Sequence, residues 1–473
     1  MKGKIYSIFV LGIICETMPY VFVAWPLLFF FMVPIFYLLF QDSHKRVLKR
    51  RHYCALAVTG SAIVMLPVVF YNIPTYITGI VVSTFLFCLF YLFARSLLRF
   101  FDNRPIAMFI PPFLWVGICL LFNFRSFSAA VLDVGVQMPA VVPLIWWVGS
   151  IGITFLIVLF NSAVAYFLFR KSKPALALAV GILLVFTACF VYTRVKTPAD
   201  FENGKEPFKV AVLQGNFTES WYWLQKNPYM VLERYDILTL TAAKKNPDLI
   251  VWPEYALPID FINYTPTIRK TVKEVVADSS TPVLMGSILF NEDTGFHEDC
   301  ALLLDKEGVM TDYYSSVQPA PFNQFAMGST RPLKPLKGNL GVFVCWEELN
   351  SSVARNLANN GAQYFVTLSN DQNLDFTWFH RYAALFSRAR AAENMRYLAR
   401  AANTGITQII DPFGRVIAKL PPEKSAFLVG DMYPVTNKTF YTRHGNMIMI
   451  TLLVIMACLF ALTAILHRRR AHA

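Results

Sequence analysis

Eight long apolar runs constrain this chain more than any other feature. They cover roughly residues 5–20, 21–40, 55–72, 76–94, 106–122, 141–168, 175–193 and 446–466. A helix that crosses a bilayer needs about 20 mostly apolar residues, because the hydrocarbon offers backbone polar groups no partner outside the segment. The runs therefore predict a membrane domain of about seven helices over 1–195 and a last span over 446–466. The first two runs nearly join, broken only near Glu16 and Met18-Pro19. One bent or re-entrant element there is the alternative to two spans. Glu16 is costly at that depth and is expected at the interface. No small-residue cleavage pattern follows the first run, which argues against a cleaved signal peptide.

Charge sorts onto the same frame. Only 15% of the chain is charged, against about 25% in ordinary soluble domains. The net charge of +13 would suggest a nucleic-acid partner if it were concentrated in a soluble domain. It is not. Asp200 to Arg443 holds 24 Lys/Arg and 26 Asp/Glu, a net −2, which leaves +15 for the apolar remainder. No nucleic-acid groove is expected; the basic residues belong to loops at a membrane surface. Lys2 and Lys4, the cluster Lys45–Arg51, Arg95 to Arg104, Arg170 to Lys173 and Arg468 to Arg470 fall on one side of an eight-span alternation, with Arg125 alone in the short opposite loops. Positive-inside ordering puts both termini in the cytoplasm and 200–443 outside.

That intervening segment has a different grammar. Strand-like runs appear at 208–214, 248–252, 282–288, 301–304, 340–345, 364–368 and 406–410, with helical patterns at 229–245, 264–278, 351–358 and 378–401. Such alternation predicts a layered α/β domain. Eight cysteines are scattered, with no C-x-x-C, and the seven histidines form no H-E-x-x-H, so neither a metal nor another cofactor is expected.

Three strand ends carry reactive groups. The run 340–344 ends in Cys345-Trp346-Glu347-Glu348, and a thiol beside carboxylates at a strand end is a candidate nucleophile. The plainer alternative is a small apolar Cys closing a buried strand. The run 248–252 ends at Pro253, which stops the strand and leaves Glu254 as a candidate general base. The run 364–368 ends in Ser369-Asn370-Asp371. Gathering of chemistry at strand ends is the habit of α/β folds.

Trp252-Pro253-Glu254 and Cys345-Trp346-Glu347 resemble the carbon–nitrogen hydrolase (nitrilase) superfamily, whose catalytic set is Glu, Lys and Cys. With the membrane runs, the chain resembles the apolipoprotein N-acyltransferase family. Gln214-Gly215-Asn216, Ser369-Asn370-Asp371, the stretch Ala399 to Thr407 and Asp411-Pro412-Phe413-Gly414 add local matches, and 149–168 resembles that family's sixth span. The resemblance implies an extracytoplasmic αββα sandwich over 200–443, in the inner membrane of a bacterium. It implies a phospholipid acyl donor, a lipoprotein acceptor, Glu254 as base, Cys345 as nucleophile and Glu347 as a supporting group. One position departs from the pattern. Anchored on Pro321-Phe322, the alignment puts Ser316 at the catalytic Lys and Gln324 at a second Glu. Lys334, Lys337, Arg388 and Arg390 are candidate replacement cations, with surface charge as the plainer role of each. Phe322, Phe325, Trp378 and Phe379 are candidates for an acyl-chain entrance or simply for core. Without the Lys, two alternatives stand beside the acyltransferase: a catalytically impaired relative that binds lipid or lipoprotein, and an enzyme of this fold with another acyl acceptor.

Overall fold

The computed structural model describes residues 25–45, 73–101, 104–122, 133–138, 141–263, 266–318, 325–326, 340–372 and 379–472, with scattered positions between 7 and 62. The chain divides into two compact units, Met1–Arg194 with His444–Ala473, and Val195–Arg443.

The first unit is helical. A 3-10 turn, Trp25–Phe29, leads into α1 (Val33–Lys45), followed by α2 (Ile73–Phe100), α3 (Ile110–Phe122), α4 (Leu144–Arg170) and α5 (Lys173–Val195). Four stretches among the described residues are long and apolar enough to cross a membrane: Trp25–Lys45, Ile77–Phe100, Leu144–Arg170 and Lys173–Val195. Pro105–Leu121 and Met447–Thr463 are shorter apolar helices. The runs near 5–20 and 55–72, Glu16 included, lie largely outside the described residues.

α4 is the hub of this unit. It is apolar around its whole circumference and mostly buried, as a helix surrounded by other helices should be. Polar side chains then do specific work on it. Asn161 accepts from the Met32 amide at 3.0 Å and donates to the Leu28 carbonyl at 2.8 Å, pinning the turn before α1. Asp133 accepts from Ser150 and Thr154, both at 2.6 Å. These bonds sit beside Gly149, whose φ of 64° breaks the helix near its start.

The second unit is built from two facing sheets. Chain order runs β1 (Phe208–Gln214), α6 (Pro228–Ala243), β2 (Leu249–Val251), α7 (Pro266–Ser279), β3 (Val283–Asn291), β4 (Phe296–Leu304), β5 (Met310–Ser315), β6 (Phe325–Ala326) and β7 (Leu340–Val344). It continues through α8 (Ser351–Asn359), β8 (Tyr364–Ser369), α9 (Phe379–Asn394), β9 (Tyr397–Ala402), β10 (Gln408–Ile410), β11 (Val416–Lys419) and β12 (Ala426–Met432). α10 (Met447–His472) then belongs to the first unit.

One sheet has the order β12-β1-β2-β3-β4-β5, with β6 on β4; the other runs β11-β10-β9-β8-β7. β1 packs on β9 and β4 on β7, so the sheets face each other. α6 packs on the first sheet and α7 shares its apolar core, and α8 and α9 cover the second. The chain thus has the expected α/β sandwich and, as a separate unit, a polytopic helical region. Strands β1, β2, β7 and β8 are buried on both faces, which explains their continuous apolar sequence.

One expectation fails. The helical pattern read over 378–401 stops at Asn394, and Tyr397–Ala402 is a strand inside the second sheet. Met395 takes a left-handed backbone with φ 56°, which ends the helix. Ala-rich β9 carries little strand propensity of its own. It is a strand because it is fully buried between β8 and β10.

Candidate active site

The three strand ends converge within this unit. β2 delivers Glu254, β8 delivers Asn370 and Asp371, and β7 delivers Cys345. Glu254 is 2% exposed, and its Oε2 accepts from the Asn370 amide at 2.7 Å. The Cys345 thiol is hydrogen-bonded to the Glu254 carboxylate. Parallel strands bring their C-terminal ends to one edge, so this meeting follows from topology once the two sheets pack.

Local backbone geometry aims the groups. Cys345 has φ 49° and Tyr255 has φ 53°, both in the left-handed region that costs an L-residue about 1–2 kcal/mol. Such strain persists where surrounding structure imposes it, and it clusters at functional sites. At Cys345 it turns the chain sharply from β7 into the 3-10 turn Cys345–Leu349. Gly286 of β3 lets the Glu254 loop approach: a Cβ there would lie 2.4 Å from the Pro253 carbonyl oxygen.

Glu347 ties the turn together. Its carboxylate is fully buried and accepts from the Val344 amide, the Val317 amide and the Tyr314 hydroxyl, each at 2.8 Å. Tyr314 and Val317 flank Ser316, so Glu347 joins the nucleophile turn to the end of β5. Ser316 is 1% exposed, and its amide donates to the Asp299 carbonyl at 2.8 Å.

Ion pairing lies just behind. Arg400, fully buried on β9, pairs with Glu348 at 3.0 Å and with Asp371 at 3.1 Å, and also donates to Ser369 at 2.9 Å. Gly405 is required beside it, because a Cβ would fall 1.9 Å from Asp371 Oδ2. Arg388 instead donates to the Gly414 carbonyl at 2.9 Å, and Arg390 pairs with Glu393 at 2.9 Å. Lys334, Lys337, Gln324, Phe322 and Trp378, with the side chains of Phe325 and Phe379, lie outside the described residues.

The described residues of the site are strongly acidic. Burial, then the neighbouring Asp299 charge, pushes Glu254 well above the carboxylate range, against the opposing pull of its bonds from Cys345 and Asn370. Burial raises Asp299 to about 7, and bonds with Glu254 and Tyr255 oppose it. Burial likewise raises Glu347 to about 7, against its three donors. Cys345 retains partial exposure as a residue, yet burial of its thiol, then Glu254, holds it far above a thiol's ordinary value. The charges that act on it most are Glu254, Asp371 and Asp299. A thiol so placed is not a standing thiolate; it reacts by handing its proton to a base as it attacks.

Residues 209–436 match the carbon-nitrogen hydrolase family model. The match falls on the α/β unit that carries this site. An apolipoprotein N-acyltransferase of Geobacter metallireducens is 28% identical over 390 residues, covering 74% of this chain and 73% of that one. Another of Pseudomonas aeruginosa strain UCBPP-PA14 is 26% identical over 388 residues, covering 75% and 73%. A carbon-nitrogen hydrolase structure from Helicobacter pylori G27 aligns with TM-score 0.39 at 17% identity, covering 48% of this chain and 88% of that one. The chain is thus linked at family level to the carbon–nitrogen hydrolases and to proteins named apolipoprotein N-acyltransferase.

Three residues of the site carried no assigned role in the sequence reading: Tyr255, Asp299 and Arg400. Asp299 left a signal, a carboxylate leading into the apolar run Cys300 to Leu304. Arg400 sat inside the stretch matched at 399–407, but nothing linear pointed it at Glu348, 52 positions away.

Proposed function

We propose that this protein is a membrane N-acyltransferase that moves an acyl chain from a phospholipid to the N-terminal amine of a lipidated lipoprotein through a thioester on Cys345. The observation that carries the reading is the Cys345 thiol, held in a strained turn and bonded to the buried Glu254 carboxylate. Glu254 takes the thiol proton as the sulfur attacks the ester carbonyl, and the leaving alkoxide recovers a proton. The acceptor amine then attacks the thioester, a two-step covalent scheme with ping-pong kinetics. Glu347 supports the turn that presents the sulfur. The α/β unit faces the extracytoplasmic side of a bacterial inner membrane, with both termini cytoplasmic, a reading supported by the one-sided distribution of basic residues among the loops.

Incubating the purified full chain with phospholipid is expected to add one acyl mass to the Cys345 peptide, and a lipidated peptide amine should then discharge it. Cys345→Ala abolishes the adduct, and Glu254→Gln slows it by about 10²–10⁴-fold. Absence of an adduct under all conditions overturns the acyltransferase reading.

A second reading has its own support. Among the described residues, the charges acting most strongly on the thiol are all acidic, and Ser316 stands at the position where the resemblance expects a lysine. An impaired relative that binds lipid without turnover would look like this. Ser316→Lys separates the two. A rise in adduct formation, on the order of the 10²–10³ that one stabilising donor supplies, marks a degenerate catalyst. An unchanged or lower rate marks a site that works without the lysine.

A further inference from the structure

Asp299 sits where the proposed chemistry needs neutralisation. It lies inside β4, opposite Ile288 of β3, and its backbone carbonyl is held by the Ser316 amide. It is 3% exposed. Its carboxyl is hydrogen-bonded to Glu254 and to Tyr255. Its Oδ1 has no hydrogen-bond partner among the described residues. Full ionisation would leave that oxygen buried, charged and unsatisfied. Two carboxyl groups in direct contact and out of water cannot both ionise, and the proton they keep belongs to the pair.

Among the described residues, the groups facing Asp299 offer no alternative counter-charge. They are Glu254 and Tyr255 from the loop after β2, Cys345 and Glu347 from the turn after β7, and Cys300 on its own strand. Asp371 acts on the same thiol from the end of β8, and its own cation, Arg400, is shared with Glu348.

We infer that Asp299 and Glu254 form a proton-sharing carboxyl pair that serves Cys345, so that a retained proton, in place of a lysine, limits the negative charge of the site. The inference rests on the proposed acyl transfer at Cys345. At rest the pair holds one proton. The Cys345 S–H bond breaks, its proton joins the pair, and sulfur bonds to the ester carbonyl carbon while the carbonyl π electrons move onto oxygen. The pair now holds two protons. Collapse of the adduct breaks the acyl–oxygen bond, and the departing alkoxide takes one proton as it leaves. An acyl thioester and an alcohol result, and the pair returns to one proton. Asp299 acts through Glu254 and is a positioning residue.

The test uses the full-length protein in detergent and reads the proton directly. Infrared difference spectra at about pH 8 should show a protonated-carboxyl carbonyl stretch in wild type that is lost in Asp299→Asn. Glu254→Gln gives the same comparison from the other side of the pair. Iodoacetamide alkylation of Cys345, read by peptide mass, reports the base without any lipid. Asp299→Asn, a neutral donor of the same shape, should stay within about tenfold of wild type, whereas Asp299→Ala should fall about a hundredfold. A carboxyl band unchanged by both Asp299→Asn and Glu254→Gln overturns the inference. So does an equal loss of alkylation in Asp299→Asn and Asp299→Ala. If the band and the alkylation pattern hold while phospholipid leaves no adduct on Cys345, the acyltransferase reading fails and the proton-sharing pair stands.

Discussion

Glu347 accepts three hydrogen bonds on one buried carboxylate, and the nucleophile turn depends on them. Two donors are backbone amides that cannot turn to another partner without moving their strands. In Glu347→Gln the side-chain amide has one accepting oxygen, so at least one donor meets an N–H instead. A buried donor left without its acceptor costs about 1–3 kcal/mol. The expected result is a lower unfolding temperature together with slower acylation of Cys345. A variant that melts lower but acylates Cys345 at the wild-type rate would show that the turn holds its aim without Glu347.

Strand β9 is the element that converts packing into electrostatics. Its Arg400 reaches the turn after β7 through Glu348 and the end of β8 through Asp371 and Ser369. One cation thereby holds two carboxylates that border the site, and those two acids in turn keep Arg400 firmly charged despite its burial. Arg400→Met leaves Glu348 and Asp371 buried without a cation, a change that costs about 3–5 kcal/mol. Thermal or denaturant unfolding of the purified protein measures it. Arg400→Lys should fall between, since a lysine keeps the charge but loses the planar fork that serves several acceptors at once. A Met variant as stable as wild type would mean that the acids had taken up protons at little cost.

At the scale of the molecule, buried acids set a pH dependence. Glu254, Asp299, Glu347 and Glu348 all bind protons more tightly folded than unfolded, with Asp299 and Glu347 raised to about 7. Unfolded carboxyls titrate near about 4. Between about pH 4 and 7 the folded chain therefore holds the extra protons. Stability from Asp299 and Glu347 is full below the unfolded value and is lost as pH rises through about 7, and Glu254 and Glu348 contribute with the same sign. The melting temperature of the full chain in detergent should fall across that interval, and less steeply in Glu347→Gln. A melting temperature that climbs from pH 5 to 7.5 would mean the acids are ionised and paired. The membrane frame is tested separately: a reporter fused after Arg470 is expected to behave as cytoplasmic, and an extracytoplasmic result reverses the proposed orientation.

The linear pattern by itself determined the division into apolar helices and an α/β segment, and most strands of that segment. Burial on both faces writes continuous apolar runs into β1, β2, β7 and β8, and these are legible without partners. It also marked Glu254, Cys345 and Asn370-Asp371, because each follows such a run. Tertiary structure alone decided the rest. β9 has helix-forming alanines and becomes a strand only through its two neighbours in the sheet. Asp299 and Arg400 acquire their roles from residues on other strands, and Tyr255 from a backbone turn. Arg388 and Arg390 look equally available in the sequence, yet the fold directs one to a carbonyl and the other to Glu393. Hydrophobic periodicity is a local property of the chain. Which charge lies beside which thiol depends on how two sheets pack, and no single stretch of sequence contains that.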